Sequence, residues 1–109
     1  MVFERYEFIE SEITSAAIDG KNRIRLEIKT GYTPIEEVIA LTKSLSYRLV
    51  PDISGKWLFA QLDLTHPFKK ERKNLAIVQK SVLAKRFSDN EIFQDDEYAG
   101  NIRFIVGEP

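Results

Sequence analysis

Glu27 and Lys29 stand two residues apart in Glu27-Ile28-Lys29, and Asp63 precedes the only histidine, His66, by three residues. Carboxylate oxygens are hard ligands suited to magnesium or manganese. On a strand, a Glu-x-Lys spacing puts both side chains on one face, because side chains alternate with a period of two. Asp63 lies near the end of a second strand and would share that face. If the two strands are neighbours, Glu27 and Asp63 flank one divalent ion, with Lys29 and His66 as the catalytic groups around it. Little else in the chain offers catalysis. Without cysteine there is no thiol nucleophile, disulfide or zinc–thiolate site. The five glycines are scattered singly, so no phosphate-cradling loop or nucleophile elbow is present and no cofactor is expected.

A Glu-x-Lys on a strand, with an aspartate upstream and a helix downstream, resembles the core of the PD-(D/E)xK nucleases. The resemblance implies metal-dependent cleavage of DNA, with Asp19 in the place of the family's aspartate. Asp19 falls in the Asp19-Gly20 turn, eight residues before Glu27 and without a preceding proline. Asp63 is therefore the better-placed second carboxylate. The same residues also have ordinary roles: Glu27 as a cross-strand partner for basic neighbours, Asp63 as a residue before a helix, His66 as a solvated turn residue.

A second constellation suits binding. Ile24, Leu26 and Ile28 alternate with charged residues over Arg23–Thr30, and Leu58, Ala60, Leu62 and Leu64 alternate over Trp57–Leu64. If these apolar residues face the helices, the other side of the sheet shows Arg23, Arg25, Glu27, Lys29, Trp57, Phe59, Gln61 and Asp63. A last strand over Asn101–Val106 adds Arg103 and Ile105. Rings interleaved with cations on a bare sheet suit single-stranded nucleic acid, since bases stack on aromatics and cations track phosphates. The arrangement is similar in logic to RNA-recognition-motif sheets, without their signature motifs. Alternatively, the apolar part of that face, centred on Trp57 and Phe59, is covered by a second copy, giving a homodimer.

The elements that position these residues follow from local signals. Asp19-Gly20 marks a turn joining Ile13–Ile18 to Arg23–Thr30. A four-residue Asp19–Asn22 loop is preferred because it sets Glu12 opposite Lys29 instead of Glu27. Thr33, Pro34 and Glu36 form a capping box with proline at the first helical position. In the helix that follows, Ile35, Val38, Ile39, Leu45 and Leu49 make the inward stripe, with Glu36, Lys43 and Ser44 outward. His66-Pro67 opens a longer helix to about Phe87, with Leu75, Val78, Val82 and Leu83 inward. Lys69, Lys73 and Lys80 share its outer face, and Lys70, Arg72, Lys85 and Arg86 extend a field attractive to a phosphate backbone or an acidic protein. A polar acidic loop precedes the last strand.

The expected fold is an α/β (α+β) two-layer sandwich of order β-β-α-β-α-β. Its mixed sheet has the last three strands parallel and both helices on one face. The hairpin and capped helix also resemble the opening of a ubiquitin-like β-grasp over less than half the chain. At 109 residues, 43% hydrophobic and 30% charged, the chain suits one compact domain over residues 1–109. A net charge of −1 hides segregation: residues 66–87 sum to +6 and residues 88–99 to −5. No apolar run reaches the ~20 residues of a membrane span, so a soluble cytoplasmic protein is expected. The favoured function is a non-catalytic binding module, self-associating through the open sheet face. Nucleic acid is the more specific candidate ligand and an acidic protein a further partner class. The nuclease is the alternative.

Overall fold

The computed structural model describes residues 17–18, 22–27, 30–49, 57–69, 71–83 and 87–106. Asp19, Lys29, Lys70, Lys85, Arg86 and residues 1–16 lie outside them. Six strands and one helix are present among the described residues: β1 (Ala17–Ile18), β2 (Arg23–Leu26), α1 (Pro34–Leu49), β3 (Trp57–Leu64), β4 (Leu75–Leu83), β5 (Phe87–Gln94) and β6 (Glu97–Val106). The sheet order is β1-β2-β4-β5-β6-β3, and every pairing is antiparallel. The fold is α+β with α1 packed on one face of the sheet, chiefly against β2 and β4. None of the described helical segments is long and apolar enough to cross a membrane.

The capping box forms as its spacing requires. The Thr33 hydroxyl and the Glu36 amide are 3.3 Å apart, and Glu36 Oε1 accepts from the Thr33 amide and hydroxyl at 3.3 and 2.9 Å. Val38, Ile39, Ala40, Leu41 and Leu45 then meet Ile24, Leu26, Leu75, Ile77 and Ile92 in the core. Ile35 is exposed, whereas Glu36 and Lys43, expected outside, are buried. The hydrophobic stripe was displaced because α1 is enclosed on more than one side. Glu37, one residue past the box, is buried and pairs with buried Arg72 from the β3–β4 connection.

The second helix expected over 66–87 does not form. Its sequence is a connection followed by β4 and the start of β5. Leu75 and Ile77 face the core with Gln79 also buried, a strand alternation that a helical reading of Leu75, Val78 and Val82 obscures. β4, β5 and β6 form an antiparallel meander, and the strands expected to run parallel through crossover helices do not: Trp57–Leu64 pairs antiparallel with β6, and β2 pairs antiparallel with β4. The acidic stretch 88–99 is likewise ordered strand and not loop. Ser88, Asn90, Ile92 and Gln94 point inward, and three of the four are polar, so hydropathy carries no trace of the alternation. Asp95 and Asp96, at φ 49° and 68°, form the tight turn to β6, the left-handed pair that a two-residue hairpin needs. At the first hairpin, Ile18 stands opposite Ile24. The strands leave the expected four residues, 19–22, between them, but the register is shifted by one, so that the two isoleucines are matched across the pair.

Candidate interaction face

The face of the sheet away from α1 carries side chains from five strands. Arg23 and Arg25 come from β2, Val78 from β4, Asp89, Glu91 and Phe93 from β5, Tyr98, Asn101, Arg103 and Ile105 from β6, and Gln61 and Asp63 from β3. Among the described residues no second layer covers it. Phe87 and Tyr98, at 46% and 41% exposure, are the largest apolar groups it shows. Tyr98 meets Phe93 edge-to-face with ring centroids 5.9 Å apart, and its hydroxyl donates to Asn101 Oδ1 at 2.9 Å.

Arg23, Arg25, Gln61, Asp63, Arg103 and Ile105 occupy the face that the alternation assigned to them. In β3 a register shift between Phe59 and Gln61 makes Ala60 the bulge residue, with Trp57 opposite Val106 and Phe59 opposite Phe104 in the ladder. One extra residue breaks the alternation of positions along the strand, and nothing in the composition of Trp57–Leu64 announces it. Phe87, Phe93 and Tyr98 supply rings on this face. Reading residues 66–87 as helix and 88–99 as loop hid them, although Phe87, Asp89, Glu91 and Phe93 recur at alternate positions.

The basic groups are brought close to acidic ones. Arg25 lies between two carboxylates, its Nη2 3.1 Å from Asp96 Oδ1 and its Nε 2.9 Å from Glu27 Oε1. Arg23 reaches the same Asp96 oxygen at 3.4 Å. Arg103 faces Asp89 at 3.6 Å, and Lys69 faces Glu97 at 3.6 Å. Asp95 accepts from the amides of Lys73 and Asn74 at 2.7 and 3.0 Å. Those backbone bonds, Asn74's first, hold its carboxyl below the ordinary aspartate value. The acidic and basic blocks thus fold onto each other through the β5–β6 turn. Lys69 and Lys73 lie in the connection and Lys80 on β4, so the single-faced helical stripe is absent, and Arg72 is buried against Glu37.

The metal arrangement is not assembled. β2 and β3 stand at opposite sides of the sheet with β4, β5 and β6 between them. Four strand spacings separate Glu27 from Asp63 by on the order of 19 Å, and ligand bonds of ~2.0–2.6 Å cannot bridge that distance through one ion. Glu27 is bonded to Arg25, and Asp63 accepts from Gln61 Nε2 at 2.5 Å. His66 is exposed beside a half-open recess of about 240 Å³ that also involves Pro67, Lys69, Gln94 and Glu97. Gln94 closes its floor, accepting from the Lys69 amide at 2.8 Å and donating to the Pro67 carbonyl at 3.3 Å. Among the described residues, no group of three or more His, Cys, Asp or Glu side chains is placed to hold a metal ion. No protein-family model matches the chain, and no curated protein or solved structure matches it either.

Proposed function

We propose that the chain is a non-catalytic interaction module that self-associates through the open face of its sheet. The observation that carries this reading is the apolar content of that face. Phe87 and Tyr98 are more than two-fifths exposed, with Val78, Phe93 and Ile105 half-buried on the same side. Scattered exposed apolar residues need no explanation, but two apolar groupings on one sheet face, Val78, Phe93 and Tyr98 toward the β5–β6 turn and Phe87 with Ile105 at the other end, suit a contact surface. Five strands at ~4.8 Å and about eight residues of strand give a face on the order of 650 Å², near the ~800 Å² per partner of a standard interface.

Charge decides the occupant. Arg23, Arg25 and Arg103 each sit within ion-pair distance of a carboxylate, and Glu91 and Asp63 add further negative charge. A polyanion is drawn by a net positive field, which this face lacks. A second copy meets no such barrier, because one surface carrying both signs can complement itself across a two-fold axis. A two-fold axis along the strands would set the β2 arginines of one copy over the β3 edge and Asp63 of the other.

Sedimentation velocity over a range of concentrations tests the proposal on the wild type and on Phe87→Ser with Tyr98→Ser. The expected result is a concentration-dependent dimer for the wild type and a folded monomer for the double variant. A wild type that stays monomeric, yet binds a labelled single-stranded oligonucleotide at low salt, would replace self-association with nucleic-acid binding. Equal association of both proteins would place the interface elsewhere.

A further inference from the structure

At the turn end of the open face, Arg23 and Arg25 converge on a single oxygen, Asp96 Oδ1. Beside this oxygen is a recess of about 190 Å³ lined by Arg23, Val78, Phe93 and Asp96. The two aspartates of the turn have different work. Asp95 bonds two backbone amides and so fixes the turn to the β3–β4 connection. Asp96 holds a left-handed conformation that favours glycine or asparagine, and its side chain is 64% exposed. Among the described residues it contacts the two arginines.

We propose that the Arg23–Arg25 pair is a binding site for an oxyanion carried on an apolar body, a phosphate monoester or a carboxylate, and that Asp96 occupies the oxyanion's place until the ligand arrives. Two guanidinium groups aimed at one point supply the forked donors that carboxylate and phosphate oxygens accept. The Phe93 ring and the Val78 side chain form apolar walls next to that point, suited to the group that bears the anion. Displacing Asp96 is easy, because an exposed ion pair contributes little and the freed carboxylate returns to water. The Glu27 carboxylate remains within ion-pair distance of Arg25 Nε while Nη2 changes partner. The site lies within the face proposed for self-association, so a bound oxyanion and a second copy compete for Arg23 and Arg25, whereas Phe87 lies six residues along β5 from Phe93, on the order of 20 Å away.

Phenyl phosphate is the probe, titrated calorimetrically into the wild type and into the Phe87→Ser variant, with inorganic phosphate and benzoate as comparators. Asp96→Asn and Asp96→Gly remove the internal carboxylate while keeping residues that accept the left-handed conformation. Both should bind the probe more tightly, by up to about fivefold, the ceiling for an exposed ion pair. Arg25→Gln should abolish binding, and added salt should weaken it. Tighter binding of phenyl phosphate than of benzoate assigns a phosphate ligand, and the reverse assigns a carboxylate. Inorganic phosphate should bind more weakly than phenyl phosphate, since it leaves Phe93 and Val78 uncovered. Absence of binding by both the wild type and Asp96→Asn would overturn the site. So would binding that is indifferent to Asp96→Asn and Arg25→Gln. Phenyl phosphate binding to Phe87→Ser at least as tight as to the wild type would support the site independently of self-association.

Discussion

The Arg72–Glu37 pair and the Arg25–Asp96 pair are the same two chemical groups in opposite surroundings. Arg72 and Glu37 side chains are 3% and 2% exposed, and Glu37 Oε2 also accepts from the amide and hydroxyl of Thr30, both at 2.9 Å. Arg25 and Asp96 side chains are 25% and 64% exposed. In the first case water cannot replace a lost partner, so the pair locks the start of α1 to the β2–α1 connection at Thr30 and to the β3–β4 connection. In the second, water or another anion can replace either partner at little cost. Burial, and not the identity of the charges, separates the part of this molecule that holds the fold from the part that can exchange contacts.

Breaking the buried pair should produce the largest effect. Arg72→Met leaves the Glu37 carboxylate buried without its counter-charge and should lower stability by about 3–5 kcal/mol. Urea unfolding monitored by circular dichroism reads this directly, and adding Glu37→Leu should recover much of the loss because no orphaned charge then remains. Asp96→Asn, the corresponding change on the open face, should alter stability by under ~1 kcal/mol. Similar losses for Arg72→Met and Asp96→Asn would remove the distinction between the two regions.

Gly100 comes next. A Cβ built there would lie 2.2 Å from the Asp63 carbonyl oxygen and 2.9 Å from Leu64 Cα. Both are backbone atoms, so Gly100→Ala must push β3 away from β6, with an expected loss of about 1–3 kcal/mol in the same unfolding experiment. Thr33→Ala removes the reciprocal cap of α1 and should cost about 1 kcal/mol.

A smaller effect, with a definite sign, comes from Asp95. Its carboxyl is held below the ordinary value in the folded chain by the Asn74 and Lys73 amides. The folded state therefore binds this proton less readily than the unfolded one. The stabilisation is complete above the unfolded carboxyl's value and fades as pH falls through the lowered folded one. Asp95→Asn should flatten that acid limb of the stability profile, read as unfolding midpoint against pH, while leaving neutral-pH association unchanged.

The sequence made α1 and β3 legible because their signals are local. Thr33-Pro34-Ile35-Glu36 caps a helix by its own chemistry, and Trp57–Leu64 alternates within one strand. The meander of β4, β5 and β6 was hidden because its inward positions include Gln79, Ser88, Asn90 and Gln94. Two of these polar groups are placed by partners distant in sequence: Asn90 Nδ2 donates to the Ile102 carbonyl at 3.2 Å and Gln94 bonds the β3–β4 connection. Half of the open face was readable from the parity of Arg23, Arg25, Asp63 and Arg103. The aromatic part was not, since Phe87, Phe93 and Tyr98 come from the β5–β6 hairpin, whose alternation is hidden by its polar inward residues.

Whether the open face is the contact surface is tested most directly by amide and aromatic NMR spectra of the wild type across a dilution series. The account predicts concentration-dependent shifts at Phe87, Phe93, Tyr98 and Ile105, with Val38, Leu41 and Leu45 of α1 unmoved. Shifts confined to α1, or spectra that do not change with concentration, would contradict it.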